Sequence, residues 1–487
     1  MKLTQEINRL LIAFLVAFLI MMIAAAYWGI SGAEDLLLRE DNPRRVEVEA
    51  QIARGQLVDR SGIVLAESIR QDNDQVERTY YYPEAAPFTG YFSLRYGTGG
   101  AETAYNTLLR GDTEMTLGVY VERQLLHQPA QGADIQLTLS VPLQQKLNEA
   151  LLPYRGAGVL LSAPTGDILA LVSLPTFDPN TLDTEWDLLR ETEGNPFFNR
   201  VLQGRYQPGG VLETPLLAAA LLRNHSLDDS LADADQPVIL DAETTVACAF
   251  SPGDQPLTLV DAYLYGCPRP FADLAESLEQ TSVESIFASF SINQPATLEG
   301  FVPAELNMAT PTPAPQPTAT PENTLVRNVL GQGQQVISPL NMALIAAAVG
   351  NEGNAPAPRT LLAIRSHNGD WQPVPAEGMS QPYLAASAAQ RLSEFMTANM
   401  LSDVLVTPQA QYPLAGHAGI AYSGKGKTLS WFIGFATLPD ATHVAVAIVL
   451  EDVNDPRAAA QIGQEMLMAA YDQRIAIDVE AATTETP

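Results

Sequence analysis

A chain of 487 residues with 46% apolar content is long enough for roughly two or three domains and a sizeable core, which excludes a wholly disordered protein. Its formal net charge of −29 excludes nucleic acid as a partner, because so acidic a surface is repelled by phosphate. Two cysteines and five histidines without ligand spacing give no metal site, and no cofactor is implied.

The elements follow in chain order. After Lys2 and Arg9 comes LLIAFLVAFLIMMIAAAYWGI, uncharged from Leu10 to Ile30. At 1.5 Å per residue this run spans about 30 Å, the hydrocarbon thickness of a bilayer. Tyr27 and Trp28 stand near its far end, as interfacial aromatics do, and Glu34 and Asp35 follow. The reading is a cytoplasmic stretch 1–9, an uncleaved transmembrane anchor 10–30, and a main domain outside the cell membrane. A cleaved signal peptide is the alternative, with Ser31-Gly32-Ala33 as its cleavage site, although the apolar run is long for one.

RGQLVDRSGIVLA (Arg54 to Ala66) predicts two short strands about a DRSG turn. GYFSLRYGTGGAETAYNTLLRG (Gly90 to Gly111) runs from a glycine-rich loop into a helix. DIQLTLS (Asp134 to Ser140) alternates as a strand does, and VPLQQKLNEALL has helical spacing. AGVLLSAPTGDILALVSLP (Ala157 to Pro175) predicts a hairpin of two apolar strands around Ala163-Pro164-Thr165-Gly166. ATPTPAPQPTATPEN (309–323) predicts an extended or disordered loop. LSWFIGFATL and HVAVAIVLED predict two strands joined by Pro439-Asp440-Ala441-Thr442. RAAAQIGQEMLMAAYDQRI then predicts a closing helix, and 476–487 a frayed tail. Strands at both ends of the region with helices between them suggest an α+β fold, one antiparallel sheet flanked by helices.

Cys248 and Cys267 lie in the part of the chain placed outside the membrane. A nearby pair there reads as a disulfide, with two unpaired cysteines as the alternative. AYSGKGKT (Ala421 to Thr428) fits a relaxed phosphate-loop pattern, but a strand pattern rather than a helix follows it, so it reads as a solvated hairpin turn.

The ordered blocks RGQLVDRSG, GYFSLRYGTGGAETAY, LTLSVPLQ, GAGVLLSAPTGDILALVSLPTFDPN, NRVLQGRYQPG, GQGQQVISPLNMA and WFIGFATLP resemble a class B penicillin-binding protein from about Asn42 to about Tyr471. The resemblance implies a membrane anchor, a small pedestal or dimerisation-like domain (42–135) and a penicillin-binding transpeptidase domain of the serine β-lactamase-like fold (136–475). Members cross-link peptidoglycan stem peptides, and the implied partners are the membrane, cell-wall synthesis proteins and the stem peptide.

The family's chemistry rests on three motifs around one cleft. The serine of SxxK attacks a carbonyl while its lysine takes the proton, and SxN and KTG relay the proton and hold the substrate. Carried onto this sequence, the SxxK serine falls on Gly210 and its lysine on Glu213. The serine and asparagine of SxN fall on Thr281 and Val283, and KTG falls on His417, Ala418 and Gly419. The two backbone N–H groups of the oxyanion hole fall on Gly210 and Ile420, and such donors survive loss of side chains. Glycine cannot attack, and removing a nucleophile costs on the order of 10⁶-fold in rate. Thr281, Ser282 and Ser423 carry hydroxyls near the cleft, but no lysine or histidine stands at the spacing of a base, save His417.

The sequence therefore reads as a catalytically inactive scaffold or regulator of cell-wall assembly. An active D,D-transpeptidase with displaced catalytic groups and a non-covalent stem-peptide sensor are the alternatives. The motif positions also predict that Glu213 and His417 face each other across the cleft, as a pair that favours the charged form of both.

Overall fold

A helix opens the chain, α1 (Lys2–Ile30), whose Ile7–Ala25 segment has a mean hydropathy of 2.5 and is not buried among the described residues. It is long and apolar enough to cross a membrane. The computed structural model describes residues 2–30, 50–71, 75–112, 131–223, 226–242, 244–277, 280–301, 321–366, 369–376, 378, 380–422 and 427–484.

The meander β1 (Leu57–Val58), β2 (Val64–Arg70) and β3 (Val76–Tyr80) follows. Its first turn is set by Asp59, whose carboxylate accepts from the N–H groups of Ser61 and Ile63 at 2.7 and 2.9 Å. A small hairpin, β4 (Tyr91–Ser93) and β5 (Gly97–Gly99), leads into α2 (Gly100–Ala104). Glu102 of α2 is buried between Arg54 and Arg78, at 2.8 and 2.7 Å, and ties this helix to the meander. Burial opposes the charge on Glu102, but the two guanidinium groups hold its carboxyl below the usual range.

Next come β6 (Asp134–Leu137), α3 (Val141–Leu151) and the hairpin β7 (Arg155–Ser162) and β8 (Ile168–Leu174). The middle of the chain carries α4 (Glu213–Leu222), α5 (Leu259–Tyr265), α6 (Gln280–Ser289) and α7 (Pro339–Gly350). The last part contains β9 (Leu361–Arg365), β10 (Gln372–Pro373), α8 (Ala386–Met400), β11 (Leu414–Tyr422), β12 (Thr428–Thr437), β13 (His443–Glu451) and α9 (Pro456–Thr484).

Two larger sheets result. The first has the order β10-β9-β6-β1-β2-β3, with β6 parallel to β1 and β9 antiparallel to β6. The second is antiparallel throughout, β11-β12-β13-β7-β8, and matches the α+β layout of a sheet flanked by helices. Its strands are apolar on both faces because both faces are covered. Trp431, Ile433 and Phe435 of β12 join the core that contains α7, while Phe432 and Ala436 join the core that contains α9. α7 is apolar all round and buried from Pro339 to Val349, as a helix sandwiched in a core must be.

Three details differ from the sequence reading. The strand β9, from LLAIR, was not anticipated: it belongs to the first sheet although some 220 residues separate it from its partner β6. Of the expected loop 309–323, positions 309–320 lie outside the described residues. Its last three open a helix, Pro321–Val329, because proline is well suited to a first helical turn. The expected tail is instead the end of α9, which continues to Thr484; no glycine or proline interrupts 464–484.

α9 approaches β12 closely at Gly463, where an added Cβ would lie 2.1 Å from the Phe432 ring. Gly463→Ala is expected to destabilise the fold by about 1–3 kcal/mol through overpacking. Denaturant midpoints of the two proteins measure it.

Candidate functional site

The stretch YQPGG is fixed from three sides before it reaches the site. Tyr206 and Ile337 exchange backbone hydrogen bonds, at 3.1 and 2.9 Å. The Trp431 indole donates to the Gln207 carbonyl at 3.0 Å, and the Gly209 N–H donates to the Gly331 carbonyl at 3.1 Å. A 3₁₀ turn, Gly209–Leu212, then delivers the chain into α4. Gly209 has φ +54°, and an added Cβ there would lie 2.1 Å from the Ile420 carbonyl oxygen. Only glycine satisfies both demands.

The turn meets β11 backbone to backbone. A Cβ on Gly210 would lie 3.2 Å from Gly419 Cα and 3.6 Å from Ile420 N. A Cβ on Gly419 would lie 2.7 Å from Val211 N. Gly210 and Gly419 therefore face each other with no side chain between them. Beside them remains a cavity of about 20 Å³, lined by Gly210, Glu213, Gly419 and Ile420 among others. That is room for about one water molecule.

Glu213 opens α4 and His417 lies in β11; both are buried, at 3% and 1% exposure. The structure brings them together, with His417 Nε2 at 3.6 Å from Glu213 Oε2. That distance is too long for a hydrogen bond. His417 Nε2 lies 3.2 Å from the Gly210 carbonyl instead. A carbonyl only accepts, so Nε2 carries the imidazole proton and donates it there. The ring stacks on Tyr263 of α5, with centroids 4.0 Å apart and planes 13° apart. The Tyr263 hydroxyl lies 2.8 Å from Thr214 Oγ1.

The expected charged pair is not what this environment supports. Burial lowers His417 to about 4, with the Gly210 carbonyl opposing only in part. Burial also raises Glu213 well above the usual carboxyl range, and its Oε2 has no hydrogen-bond partner. Desolvation of two fully enclosed groups outweighs an attraction with no hydrogen bond between them. Both shifts favour the neutral forms, a carboxylic acid beside an uncharged imidazole.

A cap covers this pair. Cys248 and Cys267 are joined by a disulfide across 19 positions. The residues flanking both cysteines, Val246, Ala247, Ala249, Gly266 and Pro268, line the small cavity. α5, which carries Tyr263, lies within the closed loop. The sequence reading missed Tyr263, although a signal existed. TLVD opens α5 as a capping box, in which Thr258 Oγ1 accepts from Asp261 N–H at 3.1 Å and the Asp261 carboxylate accepts from Thr258 N–H at 2.9 Å.

The remaining positions are less convergent. Val283 of α6 is buried in the main core and does not line the cavity. Thr281 lies on the same helix, and its side chain and that of Ser282 are outside the described residues. Ala418 faces the opposite core from His417, as strand alternation requires. Ser423, with the rest of 423–426, is outside the described residues. Ile420 N would lie 3.6 Å from a Cβ on Gly210, so the two expected oxyanion-hole positions are adjacent.

Comparison with known proteins places this geometry. Residues 156–468 match the penicillin binding protein transpeptidase domain, and residues 54–135 match the penicillin binding protein A dimerisation domain. The chain is 27% identical to the peptidoglycan D,D-transpeptidase PbpA of Mycolicibacterium smegmatis, over 96% of this chain and 98% of that relative. Among solved structures, penicillin-binding protein A of Mycobacterium tuberculosis superposes with a TM-score of 0.74 at 26% identity, over 86% of this chain and 99% of that one. The imipenem acyl-enzyme complex of that protein also gives 0.74, at 27% identity over 87% and 99%.

Two predictions follow from the enclosed pair and its cap. A raised Glu213 contributes stability that is complete below its unfolded value of about 4.5 and is lost as pH rises through the folded value. A depressed His417 contributes stability present above about 6.5 and lost as pH falls towards about 4. Glu213→Gln keeps the shape without the proton, so it should gain about 1–3 kcal/mol over the wild type at pH 8 and little at pH 4. Urea midpoints at the two pH values measure this, and NMR should show the His417 ring titrating below the ordinary histidine range.

Replacing both Cys248 and Cys267 by serine should lower stability by about 3 kcal/mol at constant pH. Thiol titration of the unfolded, unreduced wild type should find no free thiol.

Proposed function

The chain belongs to the penicillin-binding protein transpeptidase family, and from that premise we propose that it is a membrane-anchored, non-catalytic member, a scaffold or regulator in peptidoglycan assembly. One observation carries the reading: where the family's serine is expected, the Gly210 backbone rests directly on Gly419. Acyl transfer needs a hydroxyl on that turn and room for a peptide carbonyl beside it. Gly210 supplies no hydroxyl, and about 20 Å³ holds one water rather than a stem peptide.

The neighbouring groups do not restore the chemistry. A general base must accept a proton at working pH. Burial drives Glu213 toward its neutral, protonated form, and the Nε2 of His417 is already committed to the Gly210 carbonyl. The hydroxyls of Thr214 and Tyr263 pair with each other inside the protein. What supports a scaffolding role is the rest of the body: both sheets and the covering helices are complete around the altered site.

In this reading α1 anchors the chain with its N-terminus in the cytoplasm. The charges of Lys2 and Arg9 precede the apolar run, which leaves the folded body outside to meet other cell-wall synthesis proteins.

Full-length protein in detergent, incubated with a fluorescent penicillin, is expected to carry no covalent label, and intact mass should show no ring-opened adduct. An adduct on any residue would remove the reading. Gly210→Ser should also fail to acylate, because its Cβ must push β11 back from 3.2 Å and still finds no base. Its melting temperature should fall by a few degrees, as an overpacking cost of about 1 kcal/mol implies for a body of this size.

A further inference from the structure

A second cavity lies away from Glu213 and His417. It has a volume of about 300 Å³, at the lower end of the range for small-molecule sites. Its walls come from three separate stretches of chain: the β4–β5 hairpin with α2, the segment after β8 up to Gln203, and residues 296–301 that follow α6. Aromatic rings dominate it, among them Tyr91, Phe177, Phe197 and Phe301. Tyr91, Phe177 and Phe197 are held by one another and by Trp186 behind them, with Phe177 and Phe197 centroids 4.9 Å apart and Trp186 and Phe197 4.8 Å apart. The wall is thus rigid and preformed. Among the described residues no acidic or basic side chain lines it.

The polar atoms of the wall fix the ligand's chemistry further. Ser173 and Asn199 are spent: Ser173 Oγ donates to the Phe198 carbonyl and accepts from Arg200 N, and the Asn199 amide donates to the Pro87 carbonyl. Gln203 Oε1 accepts from the Asn199 N–H at 2.9 Å, which fixes the orientation of its amide. Its Nε2 then points away from that bond and has no acceptor among the described residues. Thr103 donates to Thr98 Oγ1 at 2.9 Å, so these two hydroxyls are joined to each other. The Gln203 amide is thus a donor available at the wall.

We propose that this cavity is a binding site for an uncharged, flat-ringed small molecule that carries a hydrogen-bond acceptor, such as an aromatic amide or ketone. The ring packs against the Tyr91, Phe177 and Phe197 cluster, where apolar area and edge contacts favour it. The acceptor takes the Gln203 amide proton. An anion is excluded, because the cavity holds no cation to offset its desolvation. Bound there, the ligand joins the β4–β5 hairpin to the chain that leads into the Gly209–Leu212 turn, and it stabilises the protein by mass action.

The test uses the full-length chain in lipid nanodiscs, with benzamide as the probe and benzoate as its charged counterpart, read by saturation-transfer NMR and by Trp186-dependent fluorescence. Benzamide should bind saturably and benzoate at least tenfold more weakly. Ala296→Phe, which places a ring in the cavity, should abolish binding. Gln203→Leu, which keeps the volume and removes the donor, should weaken benzamide about fivefold or more and leave acceptor-free toluene unchanged. Unfolding transitions of both variants at the wild-type temperature show that the body is intact. A variant that fails to fold is replaced by Leu202→Phe for the filling test or by Gln203→Met for the donor test. No saturable binding of benzamide, or binding that the filling variant leaves unchanged, overturns the site. Equal binding of benzoate, or a donor variant that binds benzamide as well as the wild type, overturns the ligand class.

Discussion

The contact between Gly210 and Gly419 governs this molecule's candidate site. Two strands of backbone approach so closely there that a Cβ on Gly419 would come within 2.7 Å of Val211 N. A side chain on Gly419 has no room, and a Cβ on Gly210, 3.2 Å from Gly419 Cα, fits only if the strand gives way. The approach also sets the rest of the site. It brings the Gly210 carbonyl within 3.2 Å of His417, fixes the proton of that ring on Nε2, and leaves Glu213 enclosed beside it. Gly209 and Gly331 extend the same seam, where a Cβ on Gly331 would lie 2.4 Å from Gly209 N.

The electrostatics follow from enclosure rather than from charge pairing. A carboxyl and an imidazole 3.6 Å apart attract if ionised, and on the surface they would form an ion pair. Here bulk water is held off by the cap that the Cys248–Cys267 bridge fastens and by the Tyr263 ring. The cost of removing two charges from water then exceeds their mutual attraction. The contrast lies within the same protein. Glu102 is as deeply buried, yet it stays ionised because two guanidinium groups make direct hydrogen bonds to it, at 2.9 Å from Arg54 and 2.7 Å from Arg78. A buried carboxyl is charged or neutral according to the donors around it, not its depth.

The framework that presents the turn is held separately. Glu451, at the end of β13, accepts from Arg200 at 2.9 Å and from the Tyr206 hydroxyl at 2.7 Å, so the chain leading to Gly209 is fixed to the central sheet. These bonds do not depend on what occupies the cleft. The attachment of this turn to the sheet therefore does not rest on Gly210, Glu213 or His417.

By itself the sequence determined the elements whose periodicity is strong and local. The apolar run that became α1, the β7–β8 hairpin around APTG, and the strands β12 and β13 were all legible, because strand alternation and turn residues act over a few positions. The order of the motif blocks identified the family and named Gly210, Glu213 and His417 as positions to examine. Other features were decided only by the tertiary structure. The strand β9 has no meaning until β6 lies beside it, and the helix that ends at Thr484 extended past the point where its apolar pattern fades. The cap over the pair depended on a loop closed by Cys248 and Cys267, whose contacts are with distant β11. The protonation of Glu213 and His417 is the clearest case. Their side chains and separation in sequence imply attraction, but the sign of their pKa shifts was set by how much water the fold removed around them, a quantity that no local pattern of residues encodes.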